Sequence, residues 1–331
     1  MPKQSTKGTV IRIGLSIALM AIYCFFWVDL SSTWRHLAGA DWSYLGLLAI
    51  WITLDRMLMA YKWLLLVRCR GVALSFSKSL CSYYLATFVG TFLPTTVGAD
   101  AVRVGAVSGV KRPSSLVTAS IVMERALGFV AATVAAMAAL ALMFWLAGRL
   151  PTRTFDITLA LLVLSVGGLF LSISVWVGRL LQKLVEAIQR KAGRWAWLNK
   201  ALDWSDKVLG AYGEYRRHGV SLFIFLLLSL LEQTAPVVGV WLAAMAMRID
   251  LGLLQTAAVA PLALLCSRVP LSVAGFGVIE GFYMIFFPMV GVSLSDSFLL
   301  GLIGDISVMV STLPGGLILA LSGFKLRDSS S

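Results

Sequence analysis

Apolar runs of 18 or more residues recur from one end of this chain to the other, and that is the length an α-helix needs to cross the hydrocarbon core of a bilayer. The runs are continuous and do not alternate with a period of two, which excludes a transmembrane β-barrel. Full spans are read at about 10–30, 43–66, 116–147, 157–177, 219–247 and 295–321. The first is longer than a signal core and lacks a small-residue cleavage site, so it is expected to remain in the protein. Charged residues make up 13% of the 331, against roughly 25% in an ordinary soluble domain.

Two further apolar regions, 79–108 and 252–291, are broken in the middle by Pro and Gly and read as pairs of short half-helices. The distribution of Lys and Arg says how they sit. Twenty of the 28 fall in the amino terminus, 67–79, 103–112, 178–218 and the carboxyl terminus. Four, Arg35, Arg149, Arg153 and Arg248, fall in the alternate loops, and Arg56, Lys62, Arg125 and Arg268 lie inside apolar regions. Basic residues mark cytoplasmic loops. Both termini are therefore expected in the cytoplasm, and each broken region must enter and leave on one side, as a re-entrant hairpin. The net charge of +12 is explained by these loops and needs no nucleic-acid partner.

The segment 178–218 carries two apolar stripes at helical spacing, Leu180, Leu181, Leu184, Val185, Ile188 and then Leu202, Val208, Leu209, Tyr212, Tyr215, with Lys and Arg on the other faces. This pattern fits amphipathic helices lying on anionic lipids of the inner leaflet, or else a solvated helical hairpin. Cys24, Cys69, Cys81 and Cys266 have no paired spacing, and His36 and His218 fall in polar loops. Neither a disulfide framework nor a metal centre is expected, and no cofactor.

The hairpins echo each other. "PTTVGADAV" at 94–102 returns as "PLSVAGFGV" at 270–278. Asp55 and Trp63 precede the first hairpin, and Glu232 and Trp241 precede the second. The span after each opens on Ser residues, with Glu124 and Asp305 each ten positions beyond Ser114 and Ser295. Three full spans, an odd number, separate the hairpins, so the units must face opposite ways. The expectation is an all-α polytopic membrane domain over 1–331, with six full spans and two broken re-entrant hairpins in an inverted repeat. The first repeat is 43–147, the linker 178–218 and the second repeat 219–321. That architecture is a transporter architecture, with the substrate site near the midplane.

At 1.5 Å per residue, Asp55, Glu124, Glu232 and Asp305 each lie roughly 15–20 Å into a core about 30 Å thick. Charges there cost at least a few kcal/mol each. Arg56 and Arg125, adjacent to Asp55 and Glu124, can offset them, although neighbours on a helix point to different faces. The four acids with these two arginines are expected either to line a polar, proton-coupling pathway or to form a buried ion-pair net. Arg103 and Arg268, beside the breaks, are the candidate phosphate clamps, because guanidinium binds phosphate bidentately. A half-helix starting near Thr95 or Thr96 would add backbone donors. Asp100 and Glu280 would hold an amino or sugar headgroup. Pro94, Gly98, Pro270, Gly275 and Gly277 mark the breaks, and with Gly281 allow either unusual dihedrals or simple close packing.

"YYLATFVGTFLPTTVGADAVRV", "SIVMERALG" and "SRVPLSVAGFGVIEG" resemble the lysylphosphatidylglycerol synthase transmembrane family, whose members are also called flippase-like proteins. The resemblance covers about 10–321. It implies movement of an anionic or glycosylated lipid between leaflets of a bacterial cytoplasmic membrane. The aminoacyltransferase segment of the bifunctional synthases is not among these residues, so lysine transfer is not implied. Two other readings remain: an intramembrane lipid-linked transferase or phosphatase, and a scaffold of a lipid or glycan synthesis complex. The enzyme reading lacks an HExxH, a Ser-centred elbow or clustered His, and no Walker motif offers ATP as a driver.

Overall fold

The second and third of the spans read above are single long helices because nothing breaks their backbone ladder. α2, Trp42–Arg68, is N-capped by the Asp41 carboxylate, which accepts from the Ser43 N–H at 2.9 Å. The computed structural model describes residues 22–91, 96–108, 113–147, 203, 207–267 and 277–322. Among them every regular element is helical. α1 is Leu30–Ala38, α3 Phe76–Thr91, α4 Thr96–Val107, α5 Ser114–Ala147, α6 Gly219–Glu232, α7 Thr234–Ala246, α8 Leu253–Ser267, α9 Val278–Phe286, α10 Leu294–Ser311 and α11 Leu313–Ser322. Four stretches are long and apolar enough to cross a membrane: Trp42–Arg68, Ser114–Leu146, Gly219–Ala246 and Leu294–Leu321. They match four of the six full spans read from sequence. Most of 10–30, all of 157–177 and most of 178–218 lie outside the described residues, as do Pro94, Thr95, Arg268, Pro270 and Gly275.

Two of the four spans are not single helices. The ladder resets at Gln233, between α6 and α7, and at Thr312, between α10 and α11. Pro236 and Pro314 follow within two residues of each restart. A proline lacks the N–H and its ring crowds the carbonyl four residues back, here those of Glu232 and Val310. Gln233 re-satisfies part of the ladder by donating its N–H to the Ser229 and Leu230 carbonyls at 3.2 Å. Backbone freed inside a membrane segment is tolerated on such terms.

The broken regions form two pairs of short helices, each pair packed side by side: α3 on α4, and α8 on α9. In the first pair Gly90 faces Ala99 so closely that a Cβ on the glycine would stand 2.7 Å from the alanine's. Each pair also packs into the other half of the chain. α3 lies on α11, where Gly315 and Gly316 let the backbone approach Tyr84 and Phe88, and α8 lies on α5. Small residues at such contacts replace the hydrophobic drive that lipid cannot supply. At α5–α8 they are Ala132, Ala136 and Ala139 against Ala260 and Ala263, all essentially buried in the largest core cluster.

The described end of the linker packs on protein. Val208, Tyr212 and Tyr215 join Leu66, Met123 and Phe225 beneath the ends of α2, α5 and α6. The Tyr215 hydroxyl donates to the Leu66 carbonyl at 2.8 Å, and burial holds its pKa well above the ordinary phenol value, so it remains a donor. Arg70 ties the same end down through an ion pair with Glu214 and a bond to the Ala211 carbonyl.

Candidate functional site

Polar side chains within the helical bundle gather into three groups. The first joins the first hairpin to α5. Arg103 was counted from charge alone as a loop residue, but it lies within α4 and is only 4% exposed. Its Nη2 donates to Glu124 Oε2 at 2.5 Å and stands 3.7 Å from Asp100. The guanidinium lies between two rings, 4.6 Å from that of Trp63 and 4.7 Å from that of Tyr83. Such contacts gain strength where water is excluded. Tyr83 donates its hydroxyl to the other Glu124 oxygen at 2.5 Å. Trp63 is itself held by a bond from its indole N–H to Ser120 Oγ at 2.9 Å.

Arg125, one of the two arginines that could offset the midplane acids, pairs with Asp100 and not with its neighbour Glu124. Its Nε and Nη2 reach Asp100 Oδ2 at 2.9 and 2.8 Å, and its side chain is 52% exposed. The reason is helical geometry: consecutive residues point about 100° apart, so Glu124 faces the bundle and Arg125 faces out. The result is a continuous chain, Arg125–Asp100–Arg103–Glu124–Tyr83, open at one end and sealed at the other.

The second group was only half visible in the sequence. Glu232, at the α6–α7 break, forms an ion pair with Lys62 of α2. Lys62 also donates to Ser229 Oγ at 2.9 Å and sits 4.9 Å from the Phe225 ring. Asp55 and Arg56 lie a little earlier on α2. Asp55 Oδ1 and Arg56 Nε are buried without hydrogen-bond partners, and Arg56 Nη1 meets only the Met59 sulfur, at 3.7 Å. Arg56 is the cation of this region that no carboxylate in the described residues caps.

The third group joins the second hairpin to α10. Gly277 adopts φ +83°, a backbone that suits glycine, and starts α9. Its N–H donates to Glu280 Oε2 at 2.8 Å. Glu280 is fully buried beside the Asp305 carboxyl, and one oxygen of each, Glu280 Oε1 and Asp305 Oδ2, is buried without a hydrogen-bond partner among the described residues. Gly301, one turn before Asp305, admits the contact: a Cβ there would stand 2.9 Å from Glu280 Cγ and 3.0 Å from its Cα. Gly281 likewise leaves room for Tyr23.

The acids therefore divide among different partners: Glu124 with Arg103, Glu232 with Lys62, and Asp305 with Glu280. Lys62, Tyr83, Trp63, Ser120 and Gly301 were not among the candidates. Lys62 carried a signal, a charge within an apolar run; the others look like ordinary packing residues until the fold places them. Thr96 starts α4, where a half-helix start was read near Thr95 or Thr96, and Gly98 sits in its first turn.

No curated protein and no solved structure matches the chain. A family model does: residues 10–315 match the one described as "Lysylphosphatidylglycerol synthase TM region".

Proposed function

The chain belongs to the lysylphosphatidylglycerol synthase transmembrane family, a multi-pass membrane domain linked to lipid modification or flipping, and from that premise we propose that it is a lipid translocase rather than an enzyme. Its substrate in this reading is an anionic or glycosylated phospho- or polyprenyl lipid, moved between leaflets of a bacterial inner membrane, with both termini in the cytoplasm.

One observation carries the reading: the half-exposed Arg125 opens a polar chain that runs inward to the buried Arg103. A guanidinium has five N–H donors, and Asp100 occupies two nitrogens of Arg125 through a single carboxylate oxygen, leaving donors for a phosphate. The headgroup binds first at Arg125 and next at Arg103 when Glu124 yields. Arg268 and the α4 start near Thr95 and Thr96 serve the same anion. The charged head thus crosses along protein while its tails stay in lipid.

The inverted repeat belongs to this proposal. In support of it, the first helix of each hairpin packs on the last span of the other unit, α3 on α11 and α8 on α5, as a two-fold exchange requires. Each hairpin's second helix also delivers a buried ionisable residue to an acid on the span that follows, Arg103 to Glu124 and Glu280 to Asp305.

The test uses purified protein in vesicles that carry headgroup-labelled anionic phospholipids or polyprenyl phosphates in one leaflet. The expected result is nucleotide-independent transfer that slows in Arg125→Gln. No transfer of any lipid in that panel by a correctly folded protein ends the reading.

A further inference from the structure

The two corresponding pairs differ in charge balance. In the first, Arg103 and Glu124 neutralise each other. In the second, both members are acids. Glu280 is 0% exposed and Asp305 is 9% exposed. Glu280 Oε1 and Asp305 Oδ2 are buried with no hydrogen-bond partner among the described residues, and the two carboxyls are neighbours. The remaining Glu280 oxygen is held by the Gly277 N–H, and α9 meets α10 closely at Gly301, where a Cβ would stand 3.0 Å from Glu280 Cα. Two carboxyl groups hydrogen-bond only when one of them carries a proton to donate.

We propose that Glu280 and Asp305 form a proton-binding latch between the second hairpin and α10. With one proton between the oxygens, α9 docks on α10 at Gly301. When the proton leaves to bulk water, two negative charges face each other in apolar packing. Like charges facing each other inside a low-dielectric site repel too strongly to remain docked, and α9 moves away from α10. The bond broken is the shared O–H···O, and the proton is the only species exchanged.

Among the described residues the surroundings offer no cation, and in this proposal the proton is the counterion. Tyr23 and Tyr283 are the titratable groups that face the pair, and neither is a cation at any working pH. Of the other elements packed on α9 and α10, α2 carries Asp55, which lies near Arg56 and Lys62, while Arg56 meets the Met59 sulfur and Lys62 pairs with Glu232. His36 of α1 faces Asp296, nine residues before Asp305 and so roughly 13 Å along the helix. α7 and α11 carry no charged residue, α8 contributes Cys266, and the 287–290 turn carries no ionisable side chain. Among the described residues no Lys or Arg contacts either carboxyl. The latch stands apart from the identity of any lipid, and its failure would not be a failure of translocation.

The experiment places spin labels at Ile285→Cys on α9 and Ile306→Cys on α10, both exposed positions, in the full chain with its four native cysteines replaced. Distances are measured in lipid vesicles between about pH 5 and pH 9, a range that brackets buried carboxyl groups. The expected result is a short distance at low pH and a longer population at high pH. Glu280→Gln, an amide that can donate without a proton, stays short throughout. Infrared spectra report the protonation directly: a protonated-carboxyl band is present in the native chain and lost in both Glu280→Gln and Asp305→Asn. A band unchanged in both variants overturns the proton assignment, and so does a separation set by sodium rather than by pH. A band that is lost as expected, with a distance that never changes, overturns the latch. Vesicle transfer is scored separately: a latch that titrates in a protein that moves no lipid ends the translocase reading alone.

Discussion

Arg103 donates to Glu124 at 2.5 Å from 21 positions away, while Arg125, next to Glu124 in the chain, turns to Asp100. Removing one member of a buried pair leaves the other uncompensated and costs about 3–5 kcal/mol, much more than the pair itself contributes. Arg103→Gln is therefore expected to lower thermal stability sharply in detergent, because Tyr83 alone remains on Glu124. Arg103→Gln with Glu124→Gln should recover most of that loss, a coupling visible in a double-mutant cycle. A native melting profile for the single variant would mean that the pair is not buried in the folded protein.

Lys62 and Glu232 give an asymmetric expectation. Lys62 keeps Ser229 and the Phe225 ring when the acid is removed, whereas Glu232 has no other polar partner among the described residues when the lysine is removed. Lys62→Met should thus destabilise more than Glu232→Gln, by about 1 kcal/mol or more, given what one charge-assisted bond is worth. Equal melting temperatures for the two would contradict the arrangement.

Much of this architecture can be read from the chain because lipid imposes length: a span must contain about 20 apolar residues, and α2 and α5 have nothing to interrupt them. The hairpins were marked by Pro94 and Pro270, and α3–α4 and α8–α9 are packed pairs. The breaks at Gln233 and Thr312 were less legible because Pro236 and Pro314 sit inside runs whose hydropathy never falls. The partners of the acids were illegible for a different reason. Pairing depends on which helix faces which, so adjacency favoured Arg125 for Glu124 where the fold supplies Arg103, and nothing local links Lys62 to a residue 170 positions later.

Gly90 and Gly128 separate packing glycines from idle ones. At Gly90 a Cβ would stand 2.7 Å from that of Ala99, but at Gly128 nothing lies within 4 Å. Gly90→Ala should cost about 1–3 kcal/mol by overpacking, and the added Ala99→Gly should restore the room. Gly128→Ala, in mid-helix, should be neutral or gain up to about 1 kcal/mol from backbone entropy. Thermal unfolding of the three variants checks this, and a Gly90→Ala variant as stable as the native chain would show that α3 and α4 do not meet there.

Orientation rests on charge and can be tested at two positions that the fold leaves exposed. Ser75 follows α2 in the loop that also holds Gly71, at φ +75°, and Asp250 follows α7. Basic residues cluster in 67–79 and in the linker before α6, so Ser75 is expected in the cytoplasm. From the linker, α6 and α7 together make one crossing, which places Asp250 outside. In a chain without its four native cysteines, Ser75→Cys should react with an impermeant thiol reagent only after the membrane is opened, and Asp250→Cys in intact cells. The positions are exposed, so slow labelling cannot be blamed on burial. Reaction of Ser75→Cys in intact cells would reverse the orientation and the side from which each hairpin enters. Reaction of both on one side would mean that Gly219–Ala246 does not cross, which its Pro-reset ladder at Gln233 makes the span most worth testing.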